Sequence, residues 1–468
     1  MSGTSTTNNG HNSRHPAESA APSVTATLSL SLLRHIMESL ARGVPPTALR
    51  SSVWLASDLS EGSVLLARSG NAPEWRQAGQ CLIMPLSEPP RAAPPAEADV
   101  VLEVGTGQRA GYVRGWVMRN GRRLPIRTLC VVGPGLPRWH IGPGSELRMP
   151  TLPLSEPAGP YSRIVGTIGA ATLERLAQLR LVLIGAGGTG SLFADAIARL
   201  MPHGHLTIVD PDVLKPHNRT AWLRADIPLD RRVPWPSKAR ALADIVSRLP
   251  CPPDLEVIEV GVEDWRVLGP LRRADLIVSC VDSPLGRLAC SFLSGLYIKP
   301  HIDIGTGVFL QETGDSVSNW PSETMLPQDL LQSSSVRLAG AEIRLCLPGS
   351  ESGGCLLCLG GVGGVTQRDR PFWRLRAGTS LFVNHVAVGE AGQILVDLMQ
   401  GRRHVSCHIR YERGSGAAPQ FEEVTAPRQH RMCPVCDRTG LGDLGLEAYA
   451  GLVSEILGAA PDGAVTIP

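Results

Sequence analysis

The stretch LRLVLIGAGGTGS, Leu179 to Ser191, decides the fold. Its first half is a continuous apolar run, the pattern of a strand buried on both faces of a parallel sheet. Its second half is a turn carrying Gly185, Gly187, Gly188 and Gly190. Glycines let a backbone turn tightly and approach a phosphate closely, and the free amides of a helix that starts there favour negative charge. SLFADAIARLMPHG follows with apolar residues at helical spacing, and HLTIVDPD, from His205, is a second buried strand. SKARALADIVSRL then reads as an amphipathic helix, LEVIEVGV as a third strand and ADLIVSCVDS as a fourth. This alternation predicts a doubly wound, Rossmann-like α/β domain.

Asp210 closes the second strand, 20 residues after Gly190, where a carboxylate accepts hydrogen bonds from a nucleotide ribose. The glycine turn and this acid point to a nucleotide, and leave NAD and ATP equally open. Three features favour a triphosphate. Asn218 and Arg219 stand in DPDVLKPHNRTAWLR, and Lys238 opens the next helix, so polar and cationic groups edge the crevice. Asp282 follows the fourth strand, at the carboxyl edge where open sheets bind ligands, and a carboxylate beside phosphates has a role if it holds Mg²⁺. Arg163 precedes the first strand, within reach of a phosphate.

Cys355-Leu-Leu-Cys358 and Cys433-Pro-Val-Cys436 are two C-x-x-C turns about 75 residues apart. Each offers two thiolates to one tetrahedral ion, and four thiolates make a closed structural zinc site. Eleven cysteines in a chain without a signal-like start argue for reduced thiols and metal ligation over a disulfide framework. Cys280 and Cys290 sit on apolar elements and read as core residues.

With these residues in place, YSRIVGTIGAATLERLAQLRLVLIGAGGTGS resembles the start of the adenylation fold shared by ThiF, MoeB and the ubiquitin-activating enzymes. Asp210, Asn218, Lys238 and Asp282 match the family's acid, amide, lysine and second acid in order, and the cysteine pairs match its metal motifs. The resemblance covers roughly residues 161 to 436. It implies attack of a protein C-terminal carboxylate on the α-phosphorus of Mg·ATP. Asp282 would serve Mg²⁺, Lys238 and Arg163 the phosphates, Asn218 the leaving-group side and Asp210 the ribose. It also implies a ubiquitin-like or sulfur-carrier protein as partner, and a homodimer in which Arg163 serves the neighbouring subunit. The chain departs from the family in two places. The arginine expected three residues beyond the amide is Ala221, with Arg219 or Arg224 as the nearest cations. No cysteine lies between Cys358 and Cys407, where members that form a thioester carry one. Adenylation without that thioester is the expectation; a catalytically degenerate binding subunit and an NAD-dependent oxidoreductase are the alternatives.

The rest of the chain sets bounds. At 468 residues it exceeds one ordinary core, and the expected division is a tail over 1–25, a smaller N-terminal α/β domain over 26–150, the adenylation domain over 161–440 and a C-terminal helix and tail over 441–468. In the N-terminal part LSLLRHIMESLARGV predicts a helix, and Ser63–Ala67, Val100–Val104 and Thr128–Val132 predict strands. Basic and acidic residues nearly cancel, 45 against 43, so no broad field favours nucleic acid or an anionic membrane. No apolar run reaches spanning length and no signal segment opens the chain, which favours a cytoplasmic location.

Overall fold

The computed structural model describes residues 24–42, 54–56, 63–67, 72–86, 98–148 apart from 134, 161–218, 221–223, 234–311, 336–350, 354–362, 376–378, 381–414, 418–424 and 433–457. Of the tail expected over 1–25, residues 1–23 lie outside them, as do Arg219, Arg224 and the crossover over 363–375, while Val24 and Thr25 belong to a strand.

The N-terminal part is built on nine strands and one helix among the described residues. β1 (Val24–Ser29) runs into α1 (Leu30–Ala41), and Ser29 caps the helix by accepting from the Leu32 amide at 3.2 Å. Leu32, Ile36 and Leu40 are buried, the i, i+4, i+8 stripe that seats α1 on the strands. β2 (Trp54–Ala56), β3 (Ser63–Ala67), β4 (Gly79–Pro85), β5 (Val100–Val104), β6 (Val113–Arg119), β7 (Arg122–Val132), β8 (Arg138–Ile141) and β9 (Leu147–Arg148) follow. β1 pairs in parallel with β3 on one side and β7 on the other, so the circuit β1-β3-β2-β4-β5-β6-β7 closes on itself. Closure leaves these strands without an open edge. Ala26, Leu28, Val64, Leu66, Ile83, Leu102 and Leu129 fill its interior.

The second sheet contains the glycine turn. α2 (Ser162–Ile168) and α3 (Ala170–Ala177) lead to β10 (Arg180–Ile184), α4 (Gly188–Ala198), β11 (His205–Val209), α5 (Lys238–Val246), β12 (Asp254–Ile258), α6 (Leu268–Arg273), β13 (Leu276–Ser279) and α7 (Pro284–Leu296). β14 (His301–Gln311), β15 (Val336–Cys346), β16 (Arg376–Gly378), α8 (Leu381–Met399), β17 (Cys407–Gly414), β18 (Gln420–Val424) and α9 (Tyr449–Leu457) complete it. The order is β12-β11-β10-β13-β14 in parallel, continued by antiparallel β15, β17 and β18, with β16 against β14. From β10 the chain builds outward to β12, then returns to place β13 on β10's other side. That reversal opens a crevice beyond the carboxyl ends of β10 and β13.

Alternation along β10 explains its unbroken apolar run. Leu181 and Leu183 enter the core shared with α4, α5 and α8, while Val182 and Ile184 enter the core on the face of α6, α7 and α9. Each such side chain contributes roughly 1.5–3 kcal/mol on burial. The second core does not stop at the predicted domain limits. Tyr449, Leu452 and Val453 of α9 join it, as do Leu65, Ala67, Trp75 and Val132 of the N-terminal part. Trp75 Nε1 donates to the Asp437 carbonyl at 3.1 Å, and Arg138 meets Asp275 at 2.5 Å. The antiparallel half of the sheet was not among the expected elements. Among the described residues no helix is long and apolar enough to cross a membrane.

Candidate functional site

A cavity of about 670 Å³ occupies the crevice, lined among others by Gly185, Gly187, Gly188, Asp210, Asn218, Lys238 and Asp282. Seven residues picked from separate stretches of sequence therefore meet at one place. Gly185 has φ of +95°, and a Cβ there would meet the Cys280 carbonyl at 2.8 Å. A Cβ at Gly190 would collide with the Gly185 carbonyl, so this glycine sets how closely α4 approaches the turn rather than lining the cavity. Gly187 is different: a Cβ there meets nothing within 4 Å. Its open side is space for a ligand. Gly187 stands at the cap position of α4 with no side-chain cap, so the first amides of the helix remain available to an anion.

Asp210 is buried and does more than the sequence suggests. Its carboxylate accepts from the Ala186 amide at 2.6 Å and from the Asp212 amide at 2.8 Å, tying the glycine turn to the end of β11. Burial raises its pKa above the usual carboxylate range, against the pull of those two bonds. Trp222, missed in the sequence, braces the same turn by donating Nε1–H to the Ala186 carbonyl at 2.7 Å. Lys238 opens α5 behind the Ser237 cap, and its Nζ lies 2.7 Å from Asp212 Oδ2. That hydrogen bond holds the Asp212 carboxyl below its usual range. Asp212, also on the cavity wall, is a second acid that sequence reasoning passed over; its place two residues beyond Asp210 was the available signal. Asn218 accepts from the Lys215 amide through Oδ1 at 2.9 Å, which leaves the carboxamide nitrogen as its donor toward a ligand. Asp282 is exposed on the loop between β13 and α7.

The two cysteine pairs converge as their spacing implied. Sγ atoms of Cys355 and Cys358 are 3.8 Å apart, those of Cys355 and Cys433 3.6 Å, and those of Cys358 and Cys436 3.7 Å. A tetrahedron with metal–sulfur bonds of about 2.3 Å has edges of about 3.8 Å, so the four thiols fit one such ion.

The sequence profile of the ThiF family matches residues 161–435. The chain belongs to the ThiF family. It therefore carries the adenylyltransferase type of fold, with the cavity at its switch point. Solved structures similar to this chain include E. coli MccB with ATP, at 16% identity over 60% of this chain and 75% of that one, with a TM-score of 0.42. The microcin C7 biosynthetic enzyme MccB in complex with N-formylated MccA is similar at 16% identity over 59% and 74%, TM-score 0.41. PaaA is similar at 16% over 57% and 72%, TM-score 0.38. A search of curated proteins returned no match.

Other ThiF-type residues are placed differently. Arg163 is exposed on α2, outside the cavity of its own chain, and α2 buries none of its residues. Ala221, three residues beyond Asn218, stands on the cavity wall with its carbonyl against Gly188. Cys280 packs against the core as expected and also reaches the cavity wall, and desolvation pushes its thiol up. Cys290 and Cys346 are buried, which holds both thiols well above their ordinary value. A larger cavity, about 740 Å³, lies at the opposite, amino edge of the sheet. On its wall Arg138 pairs with Asp275 and His205 lies 2.9 Å from Asp254, and the glycine turn is not among its lining residues.

Proposed function

We propose that this chain uses ATP to adenylate the C-terminal carboxylate of a ubiquitin-like or sulfur-carrier protein, without passing it to a crossover cysteine. The observation that carries the reading is the meeting of Gly187, Asp210, Asn218, Lys238 and Asp282 around one crevice at the strand reversal. Gly187's open side and the uncapped start of α4 suit a phosphate chain; Asp210 suits the ribose; Lys238, held by Asp212 until an anion competes for it, suits the phosphates. Asp282 would hold Mg²⁺, whose charge would offset that on the phosphates. In the reaction a carboxylate oxygen of the partner attacks the α-phosphorus. The bond from that phosphorus to the oxygen bridging the α- and β-phosphates breaks, and pyrophosphate leaves with the electron pair. No proton moves, so the residues bind, align and neutralise.

The high pKa of Cys280, Cys290 and Cys346 supports a route with no thiolate nucleophile among them. A helix α2 with no buried residue supports a homodimer in which Arg163 completes the partner's crevice. The Cys₄ cluster supports zinc as a structural ion. ATP–pyrophosphate exchange in the presence of a small carrier ending in Gly-Gly tests the activity. Exchange that Asp282→Ala abolishes supports it; binding of carrier without exchange favours the degenerate subunit, the reading that Ala221 on the cavity wall keeps in view.

A further inference from the structure

We infer that Arg287 is a positioning residue for Asp282, holding the acid's loop against the turn that follows the first cysteine pair. The inference rests on the nucleotide reading, in which Asp282 serves Mg²⁺. Arg287 lies five residues beyond Asp282, in the first turn and a half of α7, and is 5% exposed. Its Nε donates to the carbonyl of Val281, the residue before Asp282, at 3.1 Å. Its Nη1 donates to the Gly361 carbonyl at 3.3 Å and stands 3.7 Å from Asp303 Oδ2. Asp303, fully buried on β14, also accepts from Ser279 Oγ at 2.8 Å and lies 3.3 Å from Arg344 Nη1.

The other end of the network is the metal turn. Arg344 Nε donates to the Leu359 carbonyl at 3.3 Å. Leu359 and Gly361 belong to the turn begun by Cys355, closed by bonds from the Leu359 amide to the Cys355 carbonyl at 3.1 Å and from the Gly361 amide to the Leu356 carbonyl at 2.8 Å. Two arginines sharing one carboxylate thus grip two carbonyls of the cysteine turn, and one of them also grips the Asp282 loop.

Burying such charges is seldom the cheapest way to stabilise a core, because their desolvation offsets much of their attraction. What the arrangement fixes is position. A Cβ added to Gly305 would approach Arg287 Nη2 at 2.6 Å, so the guanidinium lies close against the β14 backbone and has little room to reorient. A lysine could keep the charge beside Asp303 but has one nitrogen, and could not reach Val281 and Gly361 together.

The test is ATP binding by the full-length protein, measured by calorimetry across a Mg²⁺ series, with AMP as a ligand that bypasses the metal. Arg287→Met and, if it folds poorly, Arg287→Lys are expected to raise the Mg²⁺ midpoint about tenfold or more, the usual cost of removing a partner that orients a metal ligand. AMP affinity should not change. Arg344→Met breaks the same network without touching Val281; it should lower the melting temperature and leave the Mg²⁺ midpoint where it was. An unchanged midpoint in the Arg287 variants, an equal shift in Arg344→Met, or a parallel loss of AMP binding overturns the inference. A wild-type protein that binds ATP with no response to Mg²⁺ overturns the role of Asp282 itself, and this inference with it.

Discussion

Gly187 and Gly190 stand three residues apart in one turn, yet the structure gives them opposite tasks. Gly190 faces its own protein, and Gly187 faces the open space of the crevice. Gly190→Ala is expected to lower the melting temperature by several degrees through a forced shift of α4. Gly187→Ala is expected to leave the melt unchanged and to weaken Mg·ATP binding, as read by calorimetry; equal effects in the two variants would contradict the assignment. Asp282→Ala should cost about a hundredfold or more in pyrophosphate exchange, with the circular dichroism of the wild type. His301 supplies a pH test. It is fully buried beside Ser279, at 2.7 Å, and burial lowers its pKa from an ordinary 6.5 to about 4. The unfolded chain takes up this proton below pH 6.5 while the folded one resists until about 4. Stability is therefore fully present above that window and falls by at most a few kcal/mol as the pH drops through it. Melts of wild type and His301→Gln from pH 8 to 4 should diverge in it; parallel curves would contradict the assignment. Gly185, Asp210 and Asp282 were legible because spacing along a strand–turn–helix unit fixes their place. Asp212 and Trp222 were not, because their roles depend on which backbone groups the fold brings to them.

At the scale of elements, legibility followed the period of the pattern. The βα units from β10 to β13 were plain because buried parallel strands read as apolar runs and the helices between them as stripes. The antiparallel strands β15 and β17 were hidden: VRLAGAEIRLC and CHIRYERG carry buried polar side chains, Glu342, Arg344 and His408 among them, that break the expected alternation. Arg344 among them is what grips the cysteine turn. The two C-x-x-C turns were legible from spacing alone, and their convergence makes a quantitative claim. Purified protein should contain one zinc per chain by mass spectrometry of the metal, and Cys358→Ser or Cys436→Ser should lose it along with several kcal/mol of stability. Full metal content in either variant would contradict a four-thiolate centre.

For the whole molecule, the N-terminal part is bound into the fold rather than tethered to it. Trp75 and Val132 share a core with α7 and α9, Arg438 lies 3.4 Å from Glu74, and Arg138 reaches Asp275 across the other end. The division into domains expected from the sequence did not show this, because a sequence shows apolar residues but not which core receives them. A chain starting at residue 161 should therefore melt well below the full-length protein, and scanning calorimetry of the latter should give one transition; two independent transitions would contradict the shared core. The central claim concerns the crevice where β10 and β13 part, and titration calorimetry with two ligands tests it most directly. Mg·ATP should bind one-to-one to the wild type, weakly or not at all to Asp282→Ala, while NADH gives no heat in either. Tight NADH binding by a protein indifferent to Mg·ATP would contradict the account.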